Sequence, residues 1–145
     1  MNTAQYDIGA RGAAGPGEPS HALGRWWRVI TIAVAAGFFL EAVFAGAMLS
    51  GAAWAHRAHA LTAALLIVWA ATAGLVSLVA LRRRPYGTRL GLTLLSLAAL
   101  AVLQAALGAL SAKGANLTRL HVPLGVALVG LAGQAVAGAR RLGRD

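Results

Sequence analysis

Two histidines, one glutamate and one glutamine are the residues of this chain best placed to do chemistry, because each stands within or at the edge of an otherwise apolar stretch. His59 and His121 are offset by 62 residues, and the chain around them repeats. Leu40-Glu41-Ala42 falls over Leu103-Gln104-Ala105, Gly46 over Gly108, and Ser50-Gly51 near Lys113-Gly114; one residue inserted in the first half brings His59 over His121. Polar positions are the rarest in such a sequence, and they are the ones that coincide. Two imidazoles on separate elements at one depth can clasp an iron from opposite sides, which is bis-histidine ligation of a b-type haem. That chemistry needs no cysteine, and the chain has none. The same absence excludes disulfides, thiolate zinc or iron–sulfur sites and a covalently attached c-type haem.

The elements that must position these residues follow from composition. Of 145 residues, 59% are hydrophobic and 12% charged, against about 45–50% and about 25% in water-soluble domains. The reading is an integral membrane protein. Four apolar segments, residues 29–49, 60–81, 90–110 and 120–139, each match the roughly 20 residues that a helix needs to cross the hydrocarbon core. Short connections make the expected fold an all-α antiparallel four-helix bundle built from two repeated hairpins. Residues 1–25, rich in Gly, Ala, Pro and Ser, are expected to be a disordered tail. The transmembrane domain is expected over 26–140, with a short tail at 141–145. Helix 1 resembles a secretory signal only loosely, since its 21-residue apolar stretch exceeds the roughly 7–15 of a signal core.

Ten of the thirteen Lys and Arg residues fall before segment 1, between segments 2 and 3, or after segment 4. The excess of basic charge on that side predicts a cell-membrane protein with both termini cytoplasmic. It also accounts for the net charge of +9 without nucleic acid. Trp26, Trp27 and Trp54 are expected as interfacial anchors.

In such a bundle helices 2 and 4 run parallel and face each other diagonally, so His59 and His121, each about one turn inside the far end, can approach a common centre. Gly125 and Ala63 each lie four residues after a histidine, and Gly108 and Ala45 four after Gln104 and Glu41, leaving room for a flat macrocycle. Arg57, Lys113 and Arg119, the cations at that end, are suited to propionate carboxylates, or are ordinary loop charges. His56 competes with His59 as the helix 2 ligand, with repeat register favouring His59. Glu41 is the sole ionisable residue inside an apolar segment, and a charge there costs on the order of 2.5–3.5 kcal/mol. It is expected to hydrogen-bond Gln104 or a Ser or Thr on a neighbouring helix, with a proton relay or quinone contact as the alternative. No second carboxylate is available for a di-metal site or paired-carboxylate hydrolysis, and no nucleotide-binding, serine-hydrolase or zinc-protease motif is present.

The run Leu103-Gln104-x-x-Leu107-Gly108, then Leu120-His121-Val122-Pro123-Leu124-Gly125, together with Trp54-Ala55-His56-Arg57-Ala58-His59, resembles the haem A synthase family. The resemblance covers residues 29–139 as one four-helix half of that two-half family. It implies b-type haem held by histidines at the outer ends of the second and fourth helices. The family's glutamate three residues before the helix 2 histidine is His56 here, counted from His59; if His56 is the ligand it is Ala53. There is no cysteine pair and no second half, so haem binding is the implied property, and haem A synthesis by this chain alone is not. The resulting expectation is one haem b between His59 and His121, carrying electrons, with a quinone, a membrane redox protein or a second copy of the chain as partner. The rivals are a cofactor-free membrane scaffold or assembly subunit, with Gly46, Gly108 and Gly133 supporting close helix contact, and a transporter subunit using Glu41.

Overall fold

The computed structural model describes residues 19–142. It is all-α: α1 (Pro19–Leu49), α2 (Ala53–Ala80), α3 (Gly87–Ala112) and α4 (Thr118–Arg141). All four are long and apolar enough to cross a membrane. The molecule is a multi-pass membrane four-helix bundle. Each helix packs on its two neighbours in the order α1, α2, α3, α4 and back to α1, and neither diagonal pair touches. Thus α2 and α4 stand diagonally opposed, as the up-and-down order requires.

Every helix exceeds its apolar segment. Helix α1 starts at Pro19 rather than at residue 26, so the stretch assigned to a tail ends earlier than its composition suggested. Proline at a helix start lacks only an amide that would go unpaired there. The remainder of the expected tail, residues 1–18, and residues 143–145 lie outside the described residues. Helix α2 begins at Ala53, seven residues before its segment, which puts His59 nearly two turns inside the helix, while His121 is one turn inside α4.

The two hairpin turns share one chemistry. Gly51 and Gly114 both take positive φ, 85° and 96°, a region where a side chain would clash. Beside them, Ala52 N–H donates to the Ala47 carbonyl at 3.0 Å and Ala115 N–H to the Leu110 carbonyl at 3.1 Å. These i to i−5 bonds, each following a left-handed glycine, are the Schellman helix end. The repeat seen in sequence is therefore a repeat of turn geometry as well.

Packing is uneven along the bundle. At the end where α1 starts and α4 stops, Trp27, Leu81, Leu90, Leu94, Ala135 and Leu142 form one buried cluster, and Val34, Phe38, Leu66, Leu97, Ala101 and Leu128 head the next. Trp27 is a core residue and not an interfacial anchor; Trp26 and Trp54 are the exposed pair. Glycines bring α2 and α3 close: a Cβ on Gly74 would lie 2.8 Å from Leu95 Cγ, and one on Gly91 would lie 2.7 Å from Leu78 side-chain carbons. Ser77 Oγ closes the α2–α3 turn by donating to the Gly87 carbonyl at 3.0 Å. Beyond Phe38, Leu66, Ala101 and Leu128, towards the hairpin turns, Ala55 is the only buried apolar residue. The bundle opens there. Outward faces carry large exposed apolar side chains along all four helices, as expected where lipid is the solvent.

Candidate functional site

The open end contains a cavity of about 720 Å³ lined by all four helices. Phe38, Ala101 and Leu128 form its floor, and Glu41, His59, Gln104 and His121 supply its polar groups. The volume falls within the roughly 300–1,000 Å³ of small-molecule and cofactor sites. Phe39, Leu49, Val122 and Val126 line it while remaining exposed on the α1 and α4 side, so its mouth opens sideways between those helices.

Polar groups in an apolar site must find partners, and here each half of the repeat supplies its own. In the first hairpin, His59 Nδ1 lies 2.6 Å from Glu41 Oε2, a close polar contact that lacks the alignment of a hydrogen bond. In the second, the His121 ring nitrogen Nδ1 lies 3.0 Å from the Gln104 backbone carbonyl, and Gln104 Nε2 donates to the His121 backbone carbonyl at 2.8 Å. A carbonyl oxygen can only accept, so this contact places the His121 proton on Nδ1. Both rings thus turn Nδ1 towards an oxygen of the preceding helix. Nε2 of neither ring has a hydrogen-bond partner among the described residues. Glu41 Oε1 and Gln104 Oε1 are buried without partners.

Helix geometry explains the register. Glu41 stands eight residues before the end of α1 and Gln104 eight before the end of α3, so each lies about 12 Å down from its turn at 1.5 Å per residue. The following helix runs back past that depth and brings a histidine to it. Thr62, three residues beyond His59, donates its hydroxyl to the Ala58 carbonyl at 2.6 Å and stays out of the polar cluster.

The expectations divide. His59, His121, Glu41, Gln104 and Gly125 line one cavity, whereas His56, Arg57 and Arg119 are exposed and do not line it. A separation of three residues turns His56 about 60° around α2 from His59, and that suffices to put it outside. The earlier start of α2 therefore does not bring His56 in. Arg57 and Arg119 stand near the starts of α2 and α4, at the end of the bundle that holds the cavity. Lys113 is exposed as well. Glu41 pairs with neither Gln104 nor a Ser or Thr; its partner is His59. The small residues also serve a different neighbour from the one expected. A Cβ on Gly108 would stand 3.0 Å from His121 Cε1, and one on Gly125 would stand 3.0 Å from Gln104 Nε2. These glycines make room first for the polar side chains themselves. The Glu41–His59 pairing went unforeseen, although the repeat contained the signal: aligning Glu41 with Gln104 and His59 with His121 means that a contact in one hairpin has a counterpart in the other.

Among the described residues, no three His, Cys, Asp or Glu side chains form a group able to hold a metal ion by themselves. The donor set consists of two imidazoles and one carboxylate already committed to one of them. Such a set does not suit a bare metal ion, but it suits an iron whose other ligands come from a macrocycle, because two axial nitrogens are all the protein then supplies.

No protein-family model, curated protein or solved structure matches this chain.

Proposed function

We propose that the chain is an integral membrane b-type haem protein in which His59 and His121 are the axial ligands, similar to one four-helix half of a haem A synthase, with electron transfer as its activity. One observation carries the reading. Two histidines on diagonally opposed helices line a single cavity, and each has Nδ1 engaged by an oxygen. Metal-ligating histidines almost always donate their other ring N–H to a carboxylate or backbone carbonyl, which fixes tautomer and ring orientation. Here the Gln104 carbonyl does this for His121, and the Glu41 carboxylate stands close behind His59 without the alignment of a hydrogen bond. The cavity volume and apolar walls fit a flat hydrophobic cofactor, and its sideways mouth suits entry from lipid.

Haem b, if held by His59 and His121, would supply one-electron redox chemistry. The residues of the chain do the rest. Glu41 sets the charge behind His59, and the Gln104 carbonyl orients His121. Gln104 locks α3 to α4 through its side-chain bond, while Phe38, Ala101 and Leu128 keep the cavity floor dry. Arg57 and Arg119, near the starts of α2 and α4, would supply cations for propionate groups. The excess of basic residues before α1, between α2 and α3 and after α4 supports a cell-membrane protein with both termini cytoplasmic. The electron partner is a quinone or membrane redox protein reaching the α1–α4 side, where a second copy of the chain could equally pack.

The test is a reduced-minus-oxidised absorbance spectrum of the purified chain. A b-type band is expected; its absence after haem is supplied favours the cofactor-free scaffold. That second reading has its own support, since the Gln104–His121 bonds join α3 to α4 without a ligand.

A further inference from the structure

A second cavity, of about 410 Å³, lies between α3 and α4 at the opposite end of the bundle. Its polar lining is Arg89, Arg141, Tyr86, Thr93 and Gln134, and its apolar lining reaches Leu131. Two guanidinium groups share it. Within residues 19–142 the only carboxylate is Glu41, and that group belongs to His59 at the far end. Neither arginine therefore has a carboxylate partner among the described residues. Arg141 is held instead over the Tyr86 ring, with Cζ 5.7 Å from the centroid, a cation–π distance. Thr93 Oγ1 donates to the Arg89 carbonyl at 2.9 Å, tying one wall together.

Two arginines thus line one cavity with no carboxylate beside them among the described residues. Guanidinium forks match phosphate oxygens bidentately, and basic pockets between membrane helices on the cytoplasmic side take anionic lipid headgroups. The cavity also has the length of an amphiphile. Leu131 precedes Arg141 by ten residues, or about 15 Å along α4, so the lining passes from guanidinium at the bundle end to apolar surface at hydrocarbon depth. A free phosphate would use the first part alone.

We propose that this cavity seats an anionic phospholipid, its phosphate between Arg89 and Arg141 and the start of one acyl chain along Leu131. The proposal is independent of the haem reading. It assigns Arg89 and Arg141 a recognition role distinct from that of Arg82 and Arg83: all four are exposed, but only Arg89 and Arg141 line the cavity.

The experiment is native mass spectrometry of the full chain from detergent, with thermal unfolding measured in parallel, on adding phosphatidylglycerol, phosphatidylcholine or inorganic phosphate. One phosphatidylglycerol is expected to remain bound and to raise the unfolding temperature, with phosphatidylcholine and phosphate giving little of either. Arg89→Gln and Arg141→Gln should each weaken retention about tenfold or more, while Arg82→Gln and Arg83→Gln retain it. If a glutamine variant fails to fold, Arg141→Lys serves: it keeps the charge but loses the fork and should give partial loss. Equal retention of phosphatidylcholine, an equal effect of inorganic phosphate, or equal loss in the Arg82 and Arg83 variants would overturn the proposal.

Discussion

Glu41 Oε2 stands 2.6 Å from His59 Nδ1, so the one acidic group within the described helices is spent on the one histidine of α2 that faces the cavity. Its counterpart in the repeat, Gln104, reaches its histidine through a main-chain oxygen instead of a side-chain one. The hairpins thus share a framework and differ by a charge. That difference gives the site an internal asymmetry that mutation can read out.

Replacing Glu41 by Gln removes the charge and keeps the shape. With haem bound, a carboxylate behind an axial imidazole favours the oxidised iron, so Glu41→Gln is expected to raise the midpoint potential. Each 1.4 kcal/mol of lost charge stabilisation corresponds to about 60 mV for one electron. Gln104→Glu should not reproduce the effect in reverse at full size, because the Gln104 side chain bonds the His121 carbonyl and not its ring. Potentiometric titration of the two variants measures both.

Gly108 faces the His121 ring so closely that a Cβ there would press on it by a few tenths of an ångström. Adding a methyl group 3.0 Å from Cε1 forces the ring or the helix to move, at a cost of about 1–3 kcal/mol for an overpacked site. Gly108→Ala should therefore lower stability and weaken haem retention together. Gly133→Ala, where a Cβ meets nothing within 4 Å, should do neither. Thermal unfolding and haem content of the two variants test this.

Gln104→Leu removes a bond that joins α3 to α4 inside the apolar end and leaves the His121 carbonyl without that donor. Loss of such a bond costs about 0.5–1.5 kcal/mol. The variant should unfold earlier in denaturant. Ser77→Ala, which removes the bond to the Gly87 carbonyl, should cost a comparable amount at the other end of the bundle and leave the cavity spectrum unchanged.

His56 is exposed on α2 and outside the cavity. His56→Ala is expected to leave haem content and band position as they are, and the same spectra would expose any ligand role by losing the band.

How much of this was legible in the sequence follows from which forces act locally. Four runs of apolar residues and three short loops dictate four spans, because lipid leaves the backbone no option but internal pairing. The aligned Glu41/Gln104 and His59/His121 positions identify the cavity's polar groups, since polar residues in lipid gather inside. Helix ends were less legible. Ala53 to Ala60 continues α2 as readily as it forms a loop, and Pro19 can open a helix as well as sit in a tail. Trp27 and Trp26 adjoin in sequence, and only packing decides that one is core and the other exposed. The pairing of Glu41 with His59 depends on how far α2 runs back past α1, a depth fixed by the position of the Gly51 turn rather than by any residue near the pair.

The central claim is most directly tested by electron paramagnetic resonance of the oxidised chain loaded with haem, comparing the wild type with His59→Ala and His121→Ala. Two axial imidazoles predict a low-spin ferric signal in the wild type that is lost or turned high-spin by either single substitution. A low-spin signal that survives both substitutions, or no haem signal from the loaded wild-type chain, would contradict it.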